Sequence, residues 1–476
     1  MELKLRLLFI NPPFTHTLRF PGNNRTQLSE CDYSPPIGMM YVMSYVKQQM
    51  DAEIRFFNFQ IPNTPSFQDF EDLLRDFQPD VIGITVNTFV WWSVYNLLSE
   101  IRKILPSALI VGGGPHMWIL PEETLKNSEF DVIVQGEGEK TFVELLTRFQ
   151  TGSGFEGIAG ILYKDNGEIK KNIPRIIEQN PDVFPFPDRT GFDINQYRHP
   201  GNKFAATAII FTGRGCPHLC TFCNNKDRSY RMRTATHVVD EILKCKAMGY
   251  KSIDFADSNF NNSIKHVKEI CKELIRRNVK TPWTCNARLD NIDYELLALM
   301  AEAGCERICF GVESANQEIL NRVKKNIDIN RVHDVFAWSR SLNITTVGLF
   351  IIGFPGETVS QVKTTMDLAI QIKADYIICQ VLMPIYGTDI FKEAETDSNF
   401  DSDFFRRFIC NPQPDLTIPI WSTGIPTGDL IRLLRLFYLI FYLRPNYILR
   451  TLQRLSGYED TKTKIKMALR LLLKFK

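Results

Sequence analysis

Along the first 150 residues, short apolar runs alternate with segments whose apolar positions recur every three to four residues. The runs at 5–10, 53–59, 81–86, 108–111 and 132–134 predict strands, and the periodic segments at 38–50, 67–77, 91–105, 121–127 and 140–149 predict helices. Strands apolar on both faces with helices between them form the pattern of a doubly wound parallel sheet. Ligands of such sheets bind beyond the carboxyl ends of the strands. This chain places Asn11-Pro12-Pro13, Asn87-Thr88, Gly112-Gly113-Gly114-Pro115-His116 and Gly136-Glu137-Gly138-Glu139 there. Each glycine permits either close backbone approach to a ligand or a tight turn. No G-x-G-x-x-G follows the first strand, so a dinucleotide fingerprint is absent.

Residues 151–204 read as a connector. Thr151-Gly-Ser-Gly154 breaks the pattern, 158–171 forms a hairpin about Asn166-Gly167, and the proline-rich 181–187 is neither helix nor central strand. A second alternation follows over 205–386. Strands are predicted at 207–212, 252–256, 282–287, 307–312, 346–352 and 376–382, with helices at 236–248, 263–277, 293–303, 331–341 and 358–372. Six such units fit a partial (β/α)6, TIM-like barrel with its site at the carboxyl ends of the strands. The polar residues there are Asp257 and Asn259, Arg288, Glu313 and Ser314, then Gly353 and Glu357. Acceptors suit amino and hydroxyl groups, and a guanidinium suits a carboxylate. Residues 387–476 read as a mainly helical C-terminal region. The whole is an α/β chain with four parts, 1–150, 151–204, 205–386 and 387–476.

Composition narrows the class. The chain has 476 residues, 44% hydrophobic and 23% charged, with a net charge of +2. That balance excludes a global nucleic-acid-binding field. Eleven cysteines and a charged, strand-like beginning imply a reducing, cytoplasmic setting. No apolar run reaches the ~18 residues of a membrane span. The tail is different in character. Residues 430–444 are apolar nearly all round and read as a helix over the open side of the barrel, whereas the basic 458–476 suits a membrane surface, and with it a lipid-like substrate.

The chemistry concentrates at Gly213-Arg-Gly-Cys216-Pro-His-Leu-Cys220-Thr-Phe222-Cys223-Asn224. Three thiols in a C-x3-C-x2-C spacing suit a metal cluster better than disulfides. Structural zinc asks for four ligands in paired groups, and no second pair is nearby. On a four-iron cluster three ligands leave one iron open. Cys245 and Cys271 fall in amphipathic helices, and Cys285, Cys305, Cys309 and Cys379 in or beside strands, so no second cluster is expected.

Cys216, Cys220, Cys223 and Phe222 resemble the signature of the radical S-adenosylmethionine (SAM) enzymes. Asn11-Pro-Pro, Pro35-Pro-Ile-Gly38, Val111-Gly-Gly-Gly-Pro-His116 and Gly136-Glu-Gly-Glu-Lys-Thr141 resemble the Rossmann-like cobalamin-binding domain that precedes many of them. The resemblance is to the cobalamin-binding radical SAM family, which includes methyltransferases of unactivated carbons and the anaerobic Mg-protoporphyrin monomethyl ester cyclase. It implies a [4Fe-4S] cluster on the three cysteines whose open iron chelates SAM, and reductive cleavage of SAM to a 5′-deoxyadenosyl radical. It further implies SAM contacts from Phe222, Asp257, Asn259, Arg288, Glu313, Ser314, Gly353 and Glu357. Cobalamin contacts are expected from Asn11, Pro12, Thr88, Gly112, Gly113, Gly114, His116, Gly136, Glu137 and Gly138. The D-x-H-x-x-G motif of many cobalamin proteins is missing, since Asn11-Pro-Pro-Phe-Thr-His16-Thr does not match it. No histidine ligand on cobalt is therefore expected, and His116 is read as capping a loop or touching the corrin edge. The expected activity is methylation of an unidentified carbon substrate, with cyclisation or rearrangement as the alternative and a non-catalytic cobalamin sensor as a third reading. An external electron donor such as flavodoxin or ferredoxin is implied.

Overall fold

The computed structural model describes residues 4–15, 17–19, 21, 34–61, 63–197, 206–225 and 227–453. The first sheet is built from β1 (Leu5–Asn11), β2 (Ala52–Asn58), β3 (Val81–Thr85), β4 (Leu109–Gly113) and β5 (Val132–Val134), with α1 (Ile37–Gln49), α2 (Phe67–Phe77), α3 (Trp91–Ile104), α4 (Pro121–Lys126) and α5 (Gly138–Thr151) between and after them. Successive β1 side chains leave by opposite faces. Leu7 and Phe9 pack with Met39, Phe142 and Leu145 of α1 and α5, and Leu8 and Ile10 with Phe70, Leu74 and Leu98 of α2 and α3. Burial on both faces is why the strand reads as a continuous apolar run.

The hairpin β6 (Ile161–Asp165) and β7 (Glu168–Lys171) completes this sheet, giving the order β2-β1-β3-β4-β5-β6-β7. β6 runs antiparallel to β5, with Ile133 opposite Leu162. The sheet thus reaches into the stretch that the sequence reads as connector, because Ile161 and Leu162 supply apolar cover for both faces. Strand order reverses between β1 and β3, so the ligand crevice of this topology opens at their carboxyl ends.

The second sheet has six parallel strands in sequential order: β8 (Thr207–Ile210), β11 (Ser252–Phe255), β12 (Trp283–Ala287), β13 (Cys305–Glu313), β14 (Thr345–Ile352) and β15 (Tyr376–Val381). Between β8 and β11, β9 (Gly213–Arg214) and β10 (Arg231–Met232) form a two-stranded ladder of their own. The helices are α6 (Ala235–Ala247), α7 (Ile264–Arg276), α8 (Tyr294–Glu302), α9 (Gln317–Arg322), α10 (Val332–Ser341) and α11 (Val359–Gln371). β8 and β15 do not pair, so the barrel is open.

The last described part holds α12 (Asp389–Ala394), α13 (Phe404–Cys410), α14 (Thr427–Tyr442) and α15 (Pro445–Gln453). Phe391, Phe405 and Phe408 join the core around Trp91 and Phe130 of the first domain, and Trp91 Nε1 donates to Ile409 O at 3.2 Å. α14 lies instead on the barrel, as the sequence leads one to expect. Tyr438 Oη accepts from Cys379 N–H and donates to Cys379 O, both at 2.9 Å, and Tyr442 does the same for Ile377 at 3.0 Å. Spacing of four on the helix matches spacing of two on the strand, so the edge of β15 is sealed. Among the described residues no helix is long and apolar enough to cross a membrane. The basic 458–476 lies outside the described residues.

Candidate active site

The loop that carries the cysteines is closed at its base by the β9–β10 ladder and inside by Cys216 N–H, which donates to Asp227 O at 3.0 Å. Gly215 makes this possible: at φ +83° a Cβ would lie 1.7 Å from Ser229 O. Thr221 N–H donates to Val323 O at 3.0 Å and Thr221 O accepts from Ile390 N–H at 3.1 Å, tying the loop to α9 and α12. Cys216 and Cys220 are buried, Cys223 is half-buried, and all three are free thiols. Burial raises the Cys216 thiol, with Cys223 and Cys220 adding to the rise. Three thiolates here need a cationic partner, and a cluster supplies one. Thr221 Oγ1 and Asn224 Oδ1 are buried in the same loop without a hydrogen-bond partner among the described residues. Thiols and burial together fit an iron–sulfur cluster, while among the described residues no three His, Cys, Asp or Glu side chains gather as for a single metal ion.

Arg288 is the cation already present. Its Nη1 lies 3.7 Å from Cys220 Sγ, and its Nε and Nη2 donate to the two carboxylate oxygens of Asp290 at 3.0 Å each. A further bond runs from Nη2 to Lys325 O. Its backbone N–H is shared by Asn259 Oδ1 at 3.1 Å and Asn261 Oδ1 at 2.9 Å. Glu313 ends β13 at φ +65°, a conformation that a non-glycine residue keeps only where the surroundings enforce it. Its Oε1 accepts from Lys325 Nζ at 2.8 Å, and a Cβ on Gly311 would lie 2.6 Å from both groups.

Three of the expected SAM contacts bond to nearby main chain. Asp257 is fully buried behind the loop, where its carboxylate accepts from Thr212 N–H and Oγ1 and from Gly213 N–H at 2.8–3.1 Å. Desolvation pushes it up to about 6 against those bonds. Glu357 Oε2 accepts from Gly353 N–H at 2.6 Å and Phe354 N–H at 3.2 Å, shaping the turn after β14, and burial pushes it up to about 7. Ser314 Oγ, fully buried, accepts from Asn316 N–H at 3.2 Å. These side chains hold main chain in place, while Glu357 Oε1 is buried without a hydrogen-bond partner among the described residues. Phe222 stays beside the site, edge-on to Phe354 with ring centres 6.0 Å apart.

On the first domain, His116 is fully buried, stacked on Trp91 at 4.5 Å and bonded through Nδ1 to Thr88 Oγ1 at 3.1 Å. Burial pushes it down to about 3, and its stacking and its bond to Thr88 fix the loop after β4. Thr88 is its partner, and Gly112 faces Met117 and Phe130, where a Cβ would come within 2.8 Å. Gly114, at φ +95°, makes the turn against Val86 O. Asn11 Nδ2 donates to Asn58 Oδ1 at 2.8 Å, Pro12 O accepts from Gln60 Nε2 at 2.7 Å, and Gly138 faces Val42. Among the described residues Gly113 has nothing within 4 Å of an added Cβ, and Gly136 only Trp118 at 3.8 Å. These two leave the open edge that a large flat ligand needs. Glu137 turns toward the cysteine loop, pairing with Arg214 at 3.2 Å and Arg231 at 2.9 Å, while its Oε2 is buried without a partner among the described residues.

Residues 210–369 match the radical SAM superfamily, and residues 32–146 match the B12 binding domain. The chain belongs to the cobalamin-binding radical SAM family. An uncharacterised methyltransferase of Pyrococcus horikoshii is 29% identical over 431 residues, which cover 89% of this chain and 91% of that one. The anaerobic magnesium-protoporphyrin IX monomethyl ester cyclase of Rubrivivax gelatinosus is 28% identical over 404 residues, 82% of this chain and 70% of the relative. Among solved structures, the radical SAM methyltransferase TsrM of Kitasatospora setae, with tryptophan substrate and a SAM analogue bound, shares the fold with a TM-score of 0.69. It is 20% identical, and the match covers 91% of this chain and 88% of that one.

Sequence reasoning missed Asn261, Lys325 and Arg214, and placed Glu139 at a strand end without its partner Arg214. Arg214 had a signal, lying between two glycines just before the first cysteine. Lys325 had none, because its partner Glu313 is on a different element.

Proposed function

We propose that this chain is a cobalamin-dependent radical SAM methyltransferase acting on an unactivated carbon of a small-molecule or lipid-like substrate. The observation that carries it is that the loop after β5, where a cobalamin would lie, touches the strand leading into Cys216 through Glu137 and Glu139 on Arg214. Both cofactor sites would therefore lie side by side. Cys216, Cys220 and Cys223 would hold the cluster, and Gly113 and Gly136 would border the corrin. When bound, the cluster with SAM supplies a 5′-deoxyadenosyl radical, and cobalamin supplies methyl transfer. Arg288 sets positive charge beside Cys220 and orients its guanidinium through Asp290. Glu313 offers a carboxylate at the strand end, neutralised by Lys325. The bond from Ile390 N–H to Thr221 O ties the cysteine loop to α12. A flavodoxin- or ferredoxin-type donor would deliver the electron. Exposed Leu436, Ile440 and Leu443 of α14 and the residue after it support a peripheral lipid contact at the C-terminal end.

The test is anaerobic reconstitution with iron, sulfide and cobalamin, followed by dithionite and SAM. Methylation yields 5′-deoxyadenosine together with S-adenosylhomocysteine. Deoxyadenosine alone favours the second reading, ring formation without methyl transfer, which the likeness to the protoporphyrin cyclase supports. Cys220→Ala should abolish deoxyadenosine in both.

A further inference from the structure

Arg214 and Arg231 are direct partners across the β9–β10 ladder that closes the cysteine loop. Like charges in that relation repel, and backbone bonds such as Arg233 N–H to Thr212 O at 2.9 Å leave that repulsion uncompensated. Glu137 Oε1 lies between them, 3.2 Å from Arg214 Nη1 and 2.9 Å from Arg231 Nη2. Glu139, buried, takes the other arm of Arg214 at 2.6 Å. Arg231 pairs in turn with Asp227, the residue whose carbonyl accepts from Cys216 N–H. The Arg214 guanidinium also lies over the rings of Tyr41 on α1, at 5.0 Å, and Phe184 of the connector, at 4.6 Å. An unbroken set of contacts runs from the loop after β5 to the first cysteine.

We infer that Glu137 and Glu139 are positioning residues for the iron site, holding the base of the cysteine loop closed from the cobalamin-binding domain. The inference rests on the reading of Cys216, Cys220 and Cys223 as cluster ligands. It gives the acidic residues of Gly136-Glu-Gly-Glu139 a task distinct from contacting cobalamin. It also means that the cluster loop is shaped by both domains together.

The test uses the full chain reconstituted with iron and sulfide and without cobalamin. Glu137→Gln keeps the shape of the side chain and removes its charge. Two quantities are read: the rate at which a chelator strips iron, and hydrogen exchange of the amides of 215–230 in the metal-free chain. The variant should lose iron about ten-fold faster or more, the scale of a charged hydrogen bond, and Cys216 N–H should exchange faster. Glu137→Gln combined with Arg231→Gln should be no worse than the more damaged single variant, since one arginine alone has no like charge to oppose. Glu53→Gln on exposed β2 serves as the control and should match wild type. Cobalamin retention is measured separately. Loss of cobalamin with unchanged iron release and exchange overturns the inference and leaves the cluster reading intact. A wild-type chain that takes up no iron–sulfur cluster overturns both. Additive damage in the double variant also overturns it, because the residues would then act independently.

Discussion

Lys325 Nζ lies 2.8 Å from Glu313 Oε1 with both side chains buried at the end of β13, and the carbonyl of the same lysine accepts from Arg288. One lysine thus binds a strand-end carboxylate by its ammonium and the cluster-side arginine by its backbone. Lys325→Met should cost about 3–5 kcal/mol, because it strands a buried carboxylate. Adding Glu313→Gln should recover much of that loss. Urea unfolding of the single and double variants measures both, and equal losses in the two would refute the pairing as the cause.

Arg288 should also tune the cluster. Its Nη1 is the cation beside Cys220 Sγ, and hydrogen bonds and positive charge at cluster sulfurs raise the reduction potential. Arg288→Gln should therefore shift the midpoint to more negative values in a redox titration followed by electron paramagnetic resonance. A midpoint equal to that of wild type would place Arg288 outside the cluster's field.

The pH dependence of folding should carry a mark of Glu357. Its folded value of about 7 stands above the ordinary 4.5, so the folded chain holds a proton that the unfolded chain releases. The contribution of this group to stability is greatest below 4.5, falls as pH rises toward 7, and is flat above. Asp257, at about 6 against 3.8, acts in the same direction over a lower window. Glu357→Gln should gain on wild type when urea midpoints at pH 8 are compared with those at pH 5.5. An identical difference at the two pH values would remove Glu357 as the source.

Each of Tyr438→Phe and Tyr442→Phe removes the partner of one N–H and one carbonyl on the edge of β15. A cost of about 1–3 kcal/mol is expected for each. Amide exchange should accelerate at Cys379 for the first and at Ile377 for the second, which a general loss of packing would not separate by site.

The fold was legible to within a residue or two at most strand ends, because the central strands of both sheets are buried on two faces and announce themselves as apolar runs. β5 at Val132–Val134 and β8 at Thr207–Ile210 are examples. The cysteine loop was legible from spacing alone. What could not be read was the destination of polar side chains. Asp257, Glu357 and His116 lie at strand ends just as ligand-binding groups do, yet each serves nearby backbone or packing. The sequence shows that a carboxylate sits at a strand end, and only the turn geometry shows which way it faces. Glu139 and Arg214 are 75 positions apart, and no periodicity links them.

The C-terminal region divides its packing, with α13 set against the first domain and α14 against the barrel. A barrel excised at residue 386 would carry a raw strand edge, and a first domain excised at 151 would lose both its last two strands and the cover over Trp91. The chain reads as separate parts in sequence, but the first domain and the barrel should unfold as one piece.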